Sequence, residues 1–467
     1  MKKNLLVIIL VCCISDFASA QYKKLHDFSI GNGDGEGPHG SLIILDNKLY
    51  GTTVNGGKYS NGIIYSIDTN GSGYTIIHNF NDTDGAGPFY STLTLSGNTL
   101  FGTASIGGTG GDGVIYCIQT NGNGYKVLFN FNGTNGNAPE GKLSLCGNRL
   151  YGTTNEGGAY NYGIIFSIDT NGSGYKVLLN FNDTNGSGPF GTELLRLGDK
   201  LYSTVGGGGK YKYGIVFSID TNGNGYTDLF DFGATSASGG SPNGSLTFLG
   251  GMLYGMTEAG GTGGVGGTLF SIDTNGNKFH VLYNVTNGGD SYCSVACSNG
   301  ILYSMTQGGP LTYGYIFAVD TGGTTIKDIF DFHDTDGYSP VECGLTLWGG
   351  MIYGVTESGG LNNDGVIFSY KDSAVTTSVN QLSVNGHQLS VYPNPGNGVA
   401  NYELRITNYE GTYQMNVFNI FGECIYSEWL NSSKGQIDLS TQSAGIYLYR
   451  VTSEKGELVG SGKLIIQ

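Results

Sequence analysis

The chain has little basic charge, few charged residues of any kind and no long apolar segment beyond its first residues. Lysine and arginine number 22 against 37 aspartate and glutamate residues, which gives a formal net charge of −15 with 13% of residues charged. Nucleic acids and anionic membranes attract basic surfaces, so this balance argues against both as partners. After residue 20, no stretch approaches the ~20 apolar residues of a membrane-spanning helix.

Helical spacing of apolar residues is also missing from residues 21–371, which argues against a helical domain there. Histidine occurs only six times and does not cluster, so the sequence shows neither a catalytic triad nor a histidine metal site. The eight cysteines match no zinc-binding spacing. These absences exclude the best-marked enzyme and metalloprotein classes.

Glycine is abundant, at 83 of 467 residues, and it belongs to a sevenfold repeat. Each repeat has leucine or isoleucine, then an aromatic residue, then glycine or serine, and the aromatic residues stand 49 to 52 positions apart. They are Tyr50, Phe101, Tyr151, Tyr202, Tyr254, Tyr303 and Tyr353. Such a regular period predicts that one supersecondary unit is built seven times.

Each repeat carries four short apolar runs bounded by glycine, asparagine and aspartate, which is typical of β-strands. In the third repeat the runs cover residues 142–146, 149–154, 163–169 and 175–181. Pairs such as Gly147-Asn148 join the first two runs, and Asp-Thr-Asn-Gly joins the last two, as expected of tight turns. Four antiparallel strands repeated seven times predict an all-β fold, a seven-bladed β-propeller.

The two ends of the repeat region, which spans residues 21–371, predict how the ring closes. Residues 22–28 match the fourth strand of the other repeats but precede the first one, and the seventh repeat stops after its third strand near Lys371. We therefore expect the N-terminal strand to close the last blade, which leaves only short outer edges. An open solenoid of the same repeats is the alternative.

The whole repeat, L-Y-G-x-T followed by G-G and G-x-I-F-S-I-D, resembles a glycine-rich tandem-repeat family of secreted bacterial proteins. The Gly-Gly pairs, such as Gly56-Gly57 and Gly157-Gly158, also resemble the kelch pattern, which implies four-stranded propeller blades. The kelch likeness is partial. Tyrosines such as Tyr74 and Tyr125 stand where kelch repeats have tryptophan.

Residues 1–20 have the form of a secretory signal peptide. Lys2 and Lys3 supply the positive end, residues 5–14 the apolar stretch, and Ala18-Ser19-Ala20 a small-residue cleavage site that ends at Ala20. Cys12-Cys13 raises a lipoprotein alternative, although the residues before them fit a lipidation motif poorly. We expect export from the cytoplasm.

The composition changes after residue 371. We predict a polar linker over 372–388 and a second domain over 389–467, which contains Y-P-N-P with Pro393-Asn394-Pro395 and G-I-Y-L-Y-R-V with Gly445 and Tyr447. These motifs resemble the C-terminal sorting domain of the type IX secretion system. The resemblance implies a small β-sandwich, the type IX secretion machinery as a partner, and a secreted or outer-membrane cell-surface protein of a Gram-negative bacterium.

We expect binding on the face that holds the second-to-third-strand loops and the loops between repeats, because loops on a rigid scaffold commonly carry function. Tyrosines in the second-to-third-strand loops offer aromatic surface beside polar groups, which suits an extracellular glycan or protein. These are Tyr59, Tyr160, Tyr162, Tyr211 and Tyr213. The alternative is that the rings pack against neighbouring repeats.

Two loops between repeats contain D-x-D-G, one with Asp82 and Asp84 and the other with Asp334 and Asp336. Clustered carboxylates on glycine-containing turns suit calcium. However, neither loop has the final glutamate of an EF-hand loop, and aspartate is also a common turn residue. We expect no cofactor, and the sequence leaves calcium open.

An enzyme is the second functional hypothesis. Glu156, Glu258 and Glu357 follow the second strand of their repeats and could approach the axis, where paired carboxylates serve polysaccharide hydrolases; a lyase is the other option. No repeat combines an acid, an arginine and a histidine, so the sequence favours a non-enzymatic, monomeric binding or adhesion module. A structural surface-layer protein is the third hypothesis.

Two cysteines leave the redox state open. Cys293 and Cys343 each lie ten residues before the repeat tyrosine, so they occupy equivalent places in neighbouring repeats. An exported protein can form a disulfide there. We expect buried free thiols instead, because equivalent points on adjacent blades can exceed the ~7 Å Cα separation that a disulfide allows.

Overall fold

The computed structural model describes residues 21–233, 235–262, 266–285, 293–308, 313–340, 344–372, 374–375, 389–392, 396, 398–404, 413–419, 424–430, 432–453 and 458–466. Its regular secondary structure over these residues is β-strand, with three short 3-10 helices at Ile30–Asn32, Ser236–Ser238 and Asp334–Asp336. The fold is all-β, as the sequence predicts.

Residues 22–371 form seven antiparallel four-stranded sheets, one for each repeat. An N-terminal strand, β1 (Tyr22–Asp27), belongs to the seventh sheet. The first sheet contains β2 (Gly35–Leu45), β3 (Lys48–Gly56), β4 (Ile63–Asp68) and β5 (Thr75–Asn79). The second contains β6 (Thr94–Ser96), β7 (Thr99–Ala104), β8 (Val114–Gln119) and β9 (Lys126–Asn130). The third contains β10 (Ser144–Cys146), β11 (Arg149–Thr154), β12 (Ile164–Asp169) and β13 (Lys176–Asn180).

The remaining four sheets have the same strand order. The fourth contains β14 (Leu195–Leu197), β15 (Lys200–Val205), β16 (Ile215–Asp220) and β17 (Thr227–Asp231). The fifth contains β18 (Thr247–Leu249), β19 (Met252–Met256), β20 (Thr268–Asp273) and β21 (His280–Asn284). The sixth contains β22 (Ala296–Ser298), β23 (Ile301–Thr306), β24 (Tyr315–Asp320) and β25 (Ile326–Asp331). The seventh contains β26 (Thr346–Trp348), β27 (Met351–Thr356), β28 (Val366–Lys371) and β1.

The first strand of most repeats is shorter than its apolar run. In the third repeat the run at 142–146 yields only β10, which has three residues. The preceding Gly141 has φ +86°, and a Cβ there would lie 2.6 Å from the carbonyl oxygen of Thr192 in the next repeat. The chain therefore leaves the sheet before Ser144 because its backbone is already packed against the neighbouring repeat.

The glycine of the L-Y-G motif makes room for an aromatic ring. In the third repeat Gly152 pairs with Phe166 across β11 and β12, and a Cβ on Gly152 would lie 2.6 Å from Cζ of Phe166. Phe166 is fully buried as a result. Burial of such a side chain stabilises the fold by roughly 1.5–3 kcal/mol.

The apolar core lies mainly between neighbouring repeats. One cluster joins Tyr50 and Ile64 of the first repeat to residues of the second, such as Leu100 and Tyr116. The same arrangement recurs from repeat to repeat. Each sheet thus buries its faces against the next sheet, which explains how so long a region folds without one central core.

The two ends of the repeat region are in contact. β1 pairs antiparallel with β28, with Tyr22 opposite Tyr370. The backbone amide of Gly344, in the seventh repeat, donates a 2.7 Å hydrogen bond to Oγ of Ser41 in the first. The seventh repeat also extends past the predicted boundary at 371, because Val375 is buried in the core that joins the sixth, seventh and first repeats.

The two cysteines that could form a disulfide have separate outcomes. Cys293 is a buried free thiol whose Sγ donates to the carbonyl oxygen of Pro340 at 3.1 Å. Cys343 lies outside the described residues. The structure therefore shows no disulfide at Cys293.

The C-terminal region adds seven strands in two antiparallel sheets. They are β29 (Leu389–Tyr392), β30 (Val399–Leu404), β31 (Tyr413–Phe418), β32 (Cys424–Leu430), β33 (Lys434–Asp438), β34 (Gly445–Ser453) and β35 (Leu458–Ile466). One sheet has the order β29-β30-β33 and the other β32-β31-β34-β35. The two sheets share one apolar cluster, to which Ala400 and Ile437 contribute from the first sheet and Met415 and Val451 from the second.

Candidate functional site on the loop face

The second-to-third-strand loops and the loops between repeats form one surface, which we call the loop face. A recurring hydrogen bond joins them, in which a backbone amide between repeats donates to a carbonyl of the preceding second-to-third-strand loop. Gly188 donates to Tyr162 at 3.0 Å, and Ser241 donates to Tyr213 at 2.7 Å. Because the bond recurs between the seventh and first repeats, from Gly37 to Asp364 at 3.0 Å, the surface is continuous between them.

The five predicted tyrosines lie on this face, and their side chains are exposed. Their exposed fractions range from 37% for Tyr211 to 58% for Tyr160. The ammonium groups of Lys58 and Lys210 lie 5.0 Å from the ring centroids of Tyr59 and Tyr211, within the range of a cation–π contact. Solvent therefore reaches all five rings, although the ring of Tyr213 also packs against Gly233 and Gly240 at the junction with the fifth repeat.

The tyrosines do not form one cluster. Tyr59 belongs to the first repeat, whereas the other four belong to the adjacent third and fourth repeats. Within the described residues, no ring–ring contact joins any two of the five. Tyr313, at the place of Tyr213 in the sixth repeat, instead contacts Tyr338 at a centroid distance of 5.7 Å. The exposed aromatic surface is therefore concentrated on the third and fourth repeats.

A cavity of about 300 Å³ lies where the first strands of all seven repeats converge. Half of its lining residues are serine, threonine or glycine, and it holds one ion pair, in which Nζ of Lys142 lies 3.0 Å from Oε1 of Glu193. Several hydroxyl groups in the lining accept a hydrogen bond from a backbone amide of the preceding repeat. For example, the amide of Ser245 donates to Oγ of Ser294 at 2.9 Å. The cavity is thus small, of mixed polarity and balanced in charge.

Aromatic rings from different repeats meet in the loops that connect the repeats. Tyr90 of the second repeat and Phe190 of the fourth have ring centroids 4.6 Å apart, so their contact skips the third repeat. His39 of the first repeat lies 5.0 Å from Tyr90, and its Nε2 is 3.3 Å from Oε1 of Glu357. The sequence analysis did not predict this group. The available signal was that an aromatic residue or histidine occurs within two positions after Pro38, Pro88 and Pro189.

Glu140 follows the equivalent proline of the third repeat and is 8% exposed. Its Oε2 is buried and has no hydrogen-bond partner in the described structure. Burial, and secondarily the charge of Glu156, raises the pKa of Glu140 to about 8. A carboxyl group in this state is largely protonated at neutral pH and can donate a hydrogen bond.

The three acids that the sequence placed near the axis occupy two kinds of position. Glu357 pairs with His39, whose hydrogen bond holds the pKa of Glu357 below its usual value. Oε2 of Glu258 accepts a 2.9 Å hydrogen bond from Asn243. Glu156 stands one residue further along its loop and accepts a 3.1 Å hydrogen bond from Asn137. The three are therefore not equivalent, in agreement with the sequence, where Glu156 lies five residues after its repeat tyrosine and the other two lie four residues after theirs.

The aspartates of the two D-x-D-G loops are partly engaged within their own loops. Oδ1 of Asp84 accepts the backbone amide of Asn81 at 3.0 Å. Oδ2 of Asp336 lies 3.5 Å from Nδ1 of His333, and Asp334 begins the short helix Asp334–Asp336. Within the described ranges, no group of three or more histidine, cysteine, aspartate or glutamate side chains is arranged to hold a metal ion.

The sorting-motif residues are only partly described. Gly445 is the first residue of β34, and the hydroxyl of the buried Tyr447 donates to the carbonyl oxygen of Ser443 at 2.7 Å. Pro393-Asn394-Pro395 and the signal cleavage site at Ala20 lie outside the described residues. No helix in the described part of the chain is long and apolar enough to cross a membrane.

Two protein families match the chain. The Gloeobacter/Verrucomicrobia repeat matches three overlapping segments, residues 14–148, 144–293 and 267–397. The secretion system C-terminal sorting domain matches residues 390–467. The second match indicates a protein handled by the type IX secretion system and secreted from, or displayed on, a Gram-negative bacterium. No curated protein sequence matches the chain.

Solved structures with a similar fold are propeller-like and distant in sequence. PorZ, a surface component of the type-IX secretion system of Porphyromonas gingivalis, is 12% identical with a TM-score of 0.46, over 93% of this chain and 60% of its own. The extracellular domain of the putative hybrid two component system BT4673 from B. thetaiotaomicron is 14% identical with a TM-score of 0.50, over 96% and 59%. An oligogalacturonate lyase in complex with manganese is 10% identical with a TM-score of 0.47, over 75% and 92%.

The chain thus spans about three-fifths of the length of PorZ and of the BT4673 domain. At these identities the likeness concerns the fold alone, which is all-β and propeller-like.

Proposed function

We propose, from the premise that the chain belongs to the Gloeobacter/Verrucomicrobia repeat family and ends in a secretion system C-terminal sorting domain, that it is an exported, non-enzymatic binding module. Its ligand is an extracellular glycan or protein, and the loop face is the binding surface. The sorting domain places the protein where such ligands occur. The low basic charge is consistent with this choice of ligand.

The proposed architecture is a closed seven-bladed β-propeller followed by a small β-sandwich. The pairing of β1 with β28 and the hydrogen bond from Gly344 to Ser41 support ring closure, because they connect the last repeat to both the N-terminal strand and the first repeat. The shared apolar cluster of the two C-terminal sheets supports the sandwich. A closed ring supplies the rigid scaffold that a binding loop face needs.

The exposed tyrosines carry the functional proposal. The repeat-motif aromatics, such as Tyr50 and Tyr151, are buried, whereas the five loop-face tyrosines remain exposed. Exposure of an aromatic ring to water is unfavourable and adds nothing to the apolar core. Aromatic residues are, however, enriched at the surfaces where proteins bind partners. The fold does not require them to be exposed, so binding gives them a role.

The test is an array of glycans and extracellular matrix proteins, probed with the purified protein with and without calcium. We expect saturable binding to at least one glycan or protein. A calcium-dependent signal would assign a role to the D-x-D-G loops, and calcium-independent binding would leave them as turns. The absence of any saturable signal would contradict the proposal and favour a structural surface-layer role.

A polysaccharide-active enzyme is the second candidate, and Glu140 is the observation that favours it. A buried acid with a raised pKa has the character of a general acid. Its test is the release of new reducing ends or unsaturated sugars from acidic and neutral polysaccharides. Turnover by the native protein that Glu140→Gln abolishes would establish the enzyme, and no turnover would favour the binding module.

A further inference from the structure

The junction between the fourth and fifth repeats departs from the others. After the first three repeats, the buried phenylalanine that ends each repeat is followed by Asn81, Asn132 or Asn182, and each asparagine side chain accepts amides of its own loop. After the fourth repeat, Phe232 is followed by Gly233. This junction therefore lacks the asparagine side chain that the first three junctions have.

Two more positions at this junction are small. At five described junctions, the loop between repeats forms an isolated bridge to a residue just after the second strand of the following repeat, and Gly240 makes that bridge with Ala259. At other junctions the equivalent pairs are larger: Ala86 with Ile106, Asn137 with Glu156, Ser187 with Gly207, and Tyr338 with Ser358. Among the junctions that the structure describes, the fourth-to-fifth alone combines three small residues, at 233, 240 and 259.

The result is a pocket of about 210 Å³ beside Tyr213. Its lining consists of Tyr213, Gly233, Ser236, Gly239, Gly240, Ala259 and Gly260. A Cβ on Gly233 would lie 2.3 Å from Cδ2 of Tyr213, so glycine is what allows the ring to lie there. Tyr213 remains 56% exposed, which leaves much of its ring surface open to a ligand.

The lining identifies the chemistry of a ligand. It contains no charged side chain, one aromatic ring, the side-chain hydroxyls of Tyr213 and Ser236, and several glycines that bring the backbone close to the surface. The nearest charge on this loop, Lys212, is paired with Asp183, with Nζ 2.5 Å from Oδ2. A neutral ring with an apolar face and hydroxyl groups at its edge matches such a surface, because the aromatic ring takes the apolar face and backbone groups take the hydroxyls.

We propose that this pocket, which we call the Tyr213 pocket, is the primary subsite for one neutral pyranose ring of a glycan. The inference rests on the proposed function and narrows its ligand class. The volume is below the roughly 300–1,000 Å³ of sites for drug-sized ligands, so it takes one sugar ring rather than an extended chain. The exposed Tyr160, Tyr162 and Tyr211 of the third and fourth repeats extend the surface for further sugar units.

The key variant is Gly240→Ala. Gly240 does not adopt a positive φ, and the equivalent residue Ala86 already carries a Cβ in the same bridge, so alanine is compatible with the backbone. The new Cβ would meet the side chain of Tyr213 at 3.2 Å and occupy the pocket. Ser187→Ala, at the neighbouring junction, is the matched control. Thermal unfolding of each variant shows whether the fold is intact.

The measurement is calorimetric titration with neutral oligosaccharides (cello-, malto-, manno- and galacto-oligosaccharides) and with oligogalacturonate as the anionic comparison. We expect the native protein to bind at least one neutral oligosaccharide. Its affinity for oligogalacturonate should be at least tenfold lower than its affinity for that neutral oligosaccharide. Gly240→Ala and Tyr213→Ala should each weaken binding at least tenfold, while Tyr213→Phe and Ser187→Ala stay within threefold of the native protein.

Two results would overturn the proposal, and they differ in what they say of the function. If Gly240→Ala and Tyr213→Ala both bind the oligosaccharide as tightly as the native protein does, the ligand binds elsewhere on the molecule. That result would still be consistent with the proposed binding function. Binding of none of these oligosaccharides by the native protein would reject the sugar subsite. If the array of glycans and matrix proteins is also blank, the proposed function fails with it.

Discussion

Tyr22 stacks on Phe330, with ring centroids 4.3 Å apart and ring planes within 3° of parallel. The hydroxyl of Tyr22 also donates to the carbonyl oxygen of Asp336 at 2.5 Å. The same stack recurs between neighbouring repeats, as in Phe129 with Tyr175 at 3.9 Å. The N-terminal strand therefore takes the place of the missing fourth strand of the seventh repeat. Its Tyr22 also supplies the aromatic ring that packs on the sixth repeat.

This relationship predicts that Tyr22→Ala destabilises the fold by about 3 kcal/mol, because a large, partly buried ring that packs on Phe330 is lost from a junction between repeats. Tyr22→Phe retains the stack and loses only one hydrogen bond, so it should cost about 1 kcal/mol. Chemical denaturation of the two variants and the native protein measures both values. Equal stability of all three proteins would mean that the N-terminal strand does not contribute to the fold.

Glu140 predicts a particular dependence of stability on pH. Its pKa is raised to about 8 in the folded protein from the 4.5 of a free glutamate, so the folded state holds the proton more tightly than the unfolded state. Its stabilising contribution is complete below about pH 4.5 and is lost as the pH rises through about 8. Glu140→Gln should therefore raise Tm at pH 9 and leave it nearly unchanged at pH 4.5.

The control for this experiment is Glu258→Gln, since the carboxylate of Glu258 is partnered by Asn243. That variant should not gain stability at high pH. A pH-independent difference between native protein and Glu140→Gln would show that Glu140 is not an isolated buried acid.

The loop-face tyrosines predict a loss of binding without a loss of stability. Replacing Tyr160, Tyr162 and Tyr211 together with alanine should weaken ligand binding at least tenfold, because three exposed rings are removed from adjacent repeats. Tm should change by no more than a degree or two, since exposed side chains contribute little to the core. Binding by surface plasmon resonance and thermal unfolding together check this prediction.

A matched control lies on the same face in the seventh repeat, where Leu361 is 77% exposed. Leu361→Ala removes apolar surface but no ring, and it should bind as the native protein does. Loss of binding in Leu361→Ala, or retained binding in the triple tyrosine variant, would place the ligand elsewhere on the molecule.

The aspartate loops predict little response of stability to calcium. Asp84 already accepts a backbone amide of its loop, and Asp336 lies near His333. A ligand that binds only the folded state raises Tm with its concentration. We therefore expect the same Tm in millimolar calcium and in chelator. A rise in Tm that Asp82→Asn and Asp334→Asn remove would reveal calcium sites.

The regular features of this protein were predictable because they are local. Pairs such as Gly147-Asn148 define tight turns through their own backbone preferences, and β10 and β11 meet at that turn as expected. The tyrosines of the second-to-third-strand loops were also predictable as exposed, since loops of a rigid repeat lie on the surface. What the sequence did not show was the partner of each acid. His39 of the first repeat, for example, lies 3.3 Å from Glu357 of the seventh, and only the folded chain brings the two together.

The repeat period, the turn residues and the C-terminal motifs were sufficient to predict the all-β class and the route of export. Both depend on short segments of sequence whose properties are local. Contacts between distant repeats decided the rest. The meeting of Tyr90 with Phe190, the burial of Glu140 and the pocket beside Tyr213 each depend on side chains from different repeats, and only the assembled fold sets the distances between them. Packing across repeats is non-local, so no pattern along the chain records it.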